Sequence, residues 1–310
     1  MSRLTTLSLV LAILTATSLA WAGEAVAVTD PRLENVHRIT ANVLAGAEPH
    51  GEAAFAALKE LGVKTIITVD GAKPDVEMAK KYGLRYVHLP IGYDGVPLAR
   101  GQEIGKALQE LDGPFYIHCH HGMHRGPAAA VVGCVVSGLI SNDDAVADLK
   151  LFGTGENYLG LWEAARNAKP ASAEQLKALQ VEYREISPIP PLADAMVSAD
   201  QAMDQIGDCK KADWKTPKEH PDLDPAHEAL KLHEIMYETT RTEEYKQRPA
   251  DFRDFMEKCI EDSKRLETLL RKAKAAPADV PAADLDGAFS NLDKDCKSCH
   301  KIYRNVKKKE

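Results

Sequence analysis

Cys119 precedes Arg125 in the run His118-Cys119-His120-His121-Gly122-Met123-His124-Arg125. A thiolate is a strong nucleophile, and a guanidinium offers a planar fork that matches two phosphoryl oxygens. Carried on one loop, the two groups suit phosphoryl transfer. Near the other end, Cys296-Lys297-Ser298-Cys299-His300 has the C-x-x-C-H spacing of covalent haem attachment. There two thiols become thioethers and an imidazole faces iron. One chain therefore carries two unrelated cysteine chemistries.

The first motif needs a strand to deliver it and a helix to receive it. Phe115-Tyr116-Ile117-His118 reads as the strand, and the apolar run 127–139, with Pro127 in its first turn, as the helix. Loop N–H groups at a helix N-terminus surround a dianion, and that positive end favours the thiolate. Upstream, 64–69 and 84–89 are further strand candidates, with helical spacing over 52–61 and 101–111. Strand and helix in alternation imply an α/β fold with a mainly parallel sheet flanked by helices. A polar helix is expected over 173–185, followed by Ser187-Pro188-Ile189-Pro190-Pro191, which no helix can run through.

The order His118, Cys119, Gly122, Arg125 resembles the H-C-x-x-G-x-x-R signature of the protein tyrosine and dual-specificity phosphatase superfamily, over roughly residues 38–168. The opening Val43-Leu44-Ala45-Gly46-Ala47-Glu48-Pro49 is also family-like. The resemblance implies a phosphocysteine intermediate on Cys119, a phosphoryl group held by Arg125 and loop residues His120, His121, Gly122, Met123 and His124, and an aspartate that protonates the leaving group. Asp94 is the best placed for that role, ahead of Asp70 and Asp75. One departure is Gly126, where the family has serine or threonine to assist hydrolysis of the intermediate. His120, His121 and His124 add positive charge, ligate a metal, or are plain solvated loop histidines. A rhodanese-like sulfur transferase also uses a loop cysteine, but the Gly122 and Arg125 spacing argues against it.

Past residue 191 the pattern is helical. Apolar stripes run through Leu192, Met196, Ala199, Met203 and Ile206; through Ala226, Ala229, His233 and Met236; through Phe252, Met256, Cys259 and Leu266; and through Leu285, Phe289, Leu292, Cys296 and Cys299. Four such stripes describe a four-helix bundle. Cys296, Cys299 and His300 share one helix face. A C-terminal C-K-x-C-H followed by Tyr303-Arg304 is similar to the cytochrome c-prime family. That resemblance implies one covalently attached haem c, His300 as the proximal iron ligand and Arg304 beside the haem. The sixth position is either open to a diatomic gas or filled by Met196 or Met203.

The expected organisation is an export signal over 1–22, a phosphatase-like domain over 23–186, a proline-rich linker over 187–191 and the bundle over 192–310. The apolar run 7–19 after Arg3, closed by Ala20-Trp21-Ala22, is the signal, and it points to the periplasm. No span of the membrane is expected after its removal. A net charge of −7 leaves no basic footprint for nucleic acid. In an oxidising compartment Cys209 and Cys259 are candidates for a disulfide. The expected partners are a phosphorylated substrate and a redox partner or diatomic gas, with dimerisation of the bundle open. Two functions remain in play: a cysteine phosphatase fused to a haem domain, or a haem protein whose phosphatase-like part only binds an oxyanion.

Overall fold

The computed structural model describes residues 25–304; the expected export signal lies outside the described residues, as do residues 305–310. The N-terminal half is one sheet with helices on both faces. In chain order its elements are β1 (Val26–Ala27), β2 (His37–Thr40), β3 (Val43–Ala47), α1 (Gly51–Glu60), β4 (Thr65–Thr68), α2 (Val76–Lys81), β5 (Arg85–His88), α3 (Leu98–Glu110), β6 (Phe115–Cys119), α4 (Arg125–Val136), α5 (Asn142–Leu151), α6 (Leu159–Asn167) and α7 (Ala173–Ala178). The strand order is β1-β2-β3-β6-β4-β5. β3, β6, β4 and β5 run parallel, while β1 and β2 add an antiparallel edge that the sequence reading did not include.

Alternation along β6 shows how the sheet is buried on both sides. Phe115, Ile117 and Cys119 face a core built with α3, α4, α5 and α6, and Tyr116 faces a second core with α1 and α2. Every residue of α4 is buried, as expected for a helix apolar all round.

The helix expected over 173–185 stops at Ala178, because Leu179 turns to extended backbone. The following chain runs along edge strand β5 instead. The His88 N–H donates to the Arg184 carbonyl at 2.8 Å, and the Ser187 N–H donates to His88 Nδ1 at 3.1 Å. Covering a bare strand edge outweighs continuing a polar helix.

The C-terminal part is helical throughout: α8 (Pro191–Lys211), α9 (Pro225–Thr239), α10 (Glu243–Lys246), α11 (Ala250–Ala275) and α12 (Ala282–Tyr303). Proline opens α8 and α9, where a missing N–H costs nothing, and the Asp224 carboxylate caps α9 by accepting from the His227 N–H. α8 packs on α9, α9 on α11 and α11 on α12, around a core that includes Ile206, Leu232, Met256, Leu266 and Leu292. α8 and α12 scarcely touch, and a cavity opens between them. Among the described residues no helix is long and apolar enough to cross a membrane.

Candidate functional site

Strand register brings the phosphate-loop residues together. Ala47 at the end of β3 pairs with Cys119, and Thr68 at the end of β4 pairs with His118. Asp70, two residues past Thr68, therefore lies level with His120 and accepts its backbone N–H at 2.7 Å. The loop then turns through Gly122, whose φ is +65°. A Cβ there would stand 2.2 Å from the Ala47 nitrogen, so only glycine fits on both counts. α4 begins at Arg125, so the Arg125 and Gly126 N–H groups open its first turn directly after the loop.

Arg125 is almost wholly buried and gripped from one side by Asp70. Nη2 donates to Oδ2 at 2.9 Å and Nη1 to Oδ1 at 3.3 Å. Burial works against the Asp70 carboxylate, but the Arg125 charge and the N–H groups of His120 and Ala72 hold its pKa below the usual range. An ionised, fully engaged carboxylate is a poor proton donor, so Asp70 positions the arginine. Arg125 Nε is buried without a hydrogen-bond partner. An orphaned charged donor beside a nucleophile at a helix N-terminus is a cradle for an oxyanion.

His118 stands behind the loop. Its Nε2 meets the Tyr86 hydroxyl at 2.7 Å, and burial pushes its pKa down to about 4, so it is neutral. His120 is the opposite. Hydrogen bonds to Asp204 at 3.0 Å and Glu48 at 3.4 Å raise it to about 10. His120, His121 and Asp204 bring potential ligand atoms within 4.8 Å of one another, as do Glu48, His50 and His120. Between Asp204 and Glu48, His120 acts here as an ion-pair bridge. His124 precedes α4 and is held near 4 by burial and then by the Arg304 charge, which keeps it neutral.

Asp94 lies on the loop between β5 and α3, next to Tyr93, whose ring centroid is 4.3 Å from the Arg125 guanidinium carbon. The loop is pinned where the Asp94 carbonyl meets Gly160, a position with no room for a side chain. Asp94 is thus held on the loop that covers the arginine. Asp75 does something else: it caps α2 by accepting from the Met78 N–H. Gly126 has a steric reason. A Cβ there would lie 2.8 Å from the Cys119 nitrogen, so α4 approaches β6 too closely for serine or threonine.

The second motif lines the cavity between α8 and α12, of about 980 Å³, at the upper end of the usual range for cofactor sites. Cys296, Cys299 and His300 stand on one wall, and Met196 and Met203 both lie on the lining, as do Met236 and Met256. Burial, and then the Arg304 charge, push His300 down to about 4, leaving the neutral imidazole that iron requires. Two thiols, a neutral imidazole and four methionines fit a covalently held haem, in a cavity whose lining also carries charged groups such as Asp200, Lys211 and Asp293.

The Cys209–Cys259 disulfide is corrected by the structure. All six cysteines are free thiols. Cys259 Sγ lies 3.9 Å from Cys296 Sγ, while Lys210, beside Cys209, reaches Asp286. Ten residues of α12 separate those two levels, about 15 Å of helical rise. Cys134 is buried in α4, as a core cysteine.

Several working residues were not singled out by sequence reasoning as they act here. Asp70 was weighed only as an acid, and Tyr93, Glu48, Asp204 and Tyr158 were not weighed for chemistry. Asp70 alone carried a signal, since the carboxyl ends of neighbouring parallel strands meet at one site. The loop after β6 also borders the cavity between α8 and α12: Ala47, His50, His120 and His121 line it together with the helical residues.

No family model and no curated protein matches this chain. Solved structures do. P. aeruginosa TpbA is 26% identical over 52% of this chain and 96% of its own, with a TM-score of 0.41. Its complex with pTyr is 25% identical over 49% and 99%, with a TM-score of 0.37. The core catalytic domain of the PP-IP phosphatase SIW14 from S. cerevisiae, in complex with citrate, is 16% identical over 44% and 86%, with a TM-score of 0.39. The structures that this chain resembles thus include phosphatases, and each is covered almost whole by about half of it.

Proposed function

We propose that this protein is a periplasmic, cysteine-dependent phosphatase carrying a c-type haem domain. The observation that carries the first half is the Arg125 arrangement. The guanidinium is fixed by Asp70, leaves Nε unpartnered, and belongs to the first turn of α4, which follows the strand end at Cys119 by one loop. In this reading the Cys119 thiolate attacks phosphorus and the bond to the leaving-group oxygen breaks. Asp94 gives that oxygen its proton. Water then cleaves the phosphocysteine, returning the thiolate and inorganic phosphate, with Asp94 taking the water's proton. Arg125 and the loop N–H groups stabilise the equatorial oxygens, whose charge is greatest in the transition state.

In the helical part Cys296 and Cys299 would hold one haem c covalently, with His300 as the ligand to its iron. When bound, the haem supplies redox or diatomic-gas chemistry. Burial and then the Arg304 charge keep His300 neutral.

The test is turnover of an aryl phosphate by the purified, haem-loaded chain beside the Cys119→Ser variant. Turnover that falls by about a thousandfold or more in the variant is expected; turnover that persists overturns the reading. For the haem, absorbance should stay with the denatured polypeptide and be lost from it in the Cys296→Ala/Cys299→Ala variant. Absorbance that separates from the wild-type chain on denaturation excludes covalent attachment.

A second reading is a haem protein whose phosphatase-like part only binds an oxyanion. Gly126 favours it, because no hydroxyl can stand there to assist hydrolysis. Oxyanion binding with no turnover in either protein is the result that would select it.

A further inference from the structure

Two imidazoles from the loop after β6 and one carboxylate from α8 come together where the halves of the chain meet. Asp204 Oδ2 lies 3.0 Å from His120 Nε2 and 3.8 Å from His121 Nε2. The three side chains keep one ligand atom each within 4.8 Å of the others. In a tetrahedral zinc site, with bonds of about 2.0 Å, ligand atoms stand about 3.3 Å apart. The wider separation belongs to His121, an exposed side chain that can turn inward to close it. The opposite edge of His120 supplies a second, independent observation. Its Nδ1 stands 3.4 Å from Glu48 Oε2. Burial works against the Glu48 charge, but the His120 hydrogen bond and the nearby histidines hold its pKa below the usual range. A histidine that ligates a metal through one nitrogen commonly gives its other N–H to a carboxylate, which fixes the tautomer and the ring. Glu48 occupies that place.

We propose that His120, His121 and Asp204 form a binding site for a divalent transition cation of the zinc class, with Glu48 orienting His120 from behind. Two imidazoles and one carboxylate suit such a cation, whereas magnesium and calcium take oxygen donors. The carboxylates that hold a proton on His120 hold the cation in its stead, and that proton passes to solvent. A dipositive ion set between a carboxylate and two neutral imidazoles uses the same negative charge that the histidinium uses without it. Three protein ligands leave a fourth position for water or an anion. His120 and His121 directly follow Cys119, and Asp204 lies in α8, so the bound cation ties the loop to the helical half. The site stands on these side chains and is independent of the phosphatase reading.

The test is a calorimetric titration of the full, haem-loaded and tag-free chain with zinc chloride. It is run in the Cys119→Ser background, so that the thiol of the loop supplies no ligand. One zinc ion per chain is expected, with a Kd in the micromolar range or tighter, and no binding of magnesium under the same conditions. His121→Ala and Asp204→Asn should each weaken zinc binding about tenfold or more. Both side chains are about half exposed, so neither change opens the core. Glu48→Gln should also weaken binding about tenfold without removing a ligand, the effect of losing the carboxylate behind one. No binding at about 0.1 mM zinc overturns the inference. Binding left unchanged by both His121→Ala and Asp204→Asn does the same. A loss seen in His50→Ala and not in His121→Ala would assign the ion to Glu48, His50 and His120, and it too would overturn the site proposed.

Discussion

Asp70 and Arg125 set the chemistry by holding each other. Both are buried, so each neutralises a charge that could not otherwise remain there, and the pair leaves the guanidinium's Nε unpartnered. Asp70→Ala removes one partner and leaves the other charged and unpaired. The expected cost is about 3 kcal/mol of stability, read from urea unfolding, with kcat/KM on an aryl phosphate falling about a hundredfold. Asp70→Ala retaining full activity would show that Arg125 needs no such support. The pH dependence has a definite sign. The Asp70 pKa is depressed in the fold, so its contribution is present above the ordinary carboxylate range and is lost as pH falls through the lowered value.

At the level of elements, the contact between β6 and α4 explains the glycines. Gly122 makes the left-handed turn that lets the loop lie on β3, and Gly126 lets the first turn of α4 meet the strand end. Serine at 126 looks like a repair, since it offers the hydroxyl that the resemblance to the phosphatase signature would place there. The packing says otherwise, because its Cβ would press on the Cys119 backbone. Gly126→Ser should therefore lower kcat/KM about tenfold or more and cost about 2 kcal/mol by overpacking. A rise in turnover would show that the strand and helix can part enough to admit the hydroxyl. Helix α12 is the second organising element: its 3.6-residue period alone sets Cys296, Cys299 and His300 on one face.

Across the whole molecule the two halves meet through charge. Asp204 on α8 pairs with His120 of the phosphate loop and approaches His121, while Glu48 faces His120 from the other side. His120 is raised from 6.5 to about 10 by these carboxylates. Its stabilising contribution is complete below about 6.5 and is lost as pH climbs through about 10. Asp204 is half exposed, so solvent screening limits the pair to about 1 kcal/mol. Thermal unfolding followed across that window should show a declining Tm for the wild-type chain and a flatter profile for Asp204→Asn. Identical slopes in both would assign the pH dependence to other groups.

The spacing of His118, Cys119, Gly122 and Arg125 made the phosphate loop legible without coordinates, because a strand, a turn and a helix start are all local events written in consecutive residues. Three of the four parallel strands, β4, β5 and β6, were readable for the same reason, as were the helical second half and the shared face of Cys296, Cys299 and His300, whereas β3 was not read as a strand. What depended on residues distant in the chain was not readable. Asp70 meets Arg125 only because β4 and β6 are neighbours in register, and Cys259 faces Cys296, not Cys209, only because α11 packs against α12 at that level. Arg304 stands on Tyr93 only because α12 ends against the other half of the chain. Periodicity records which face a side chain takes on its own element; which element lies opposite is decided by tertiary packing, and the partners of Arg125, His120 and Arg304 are of that second kind.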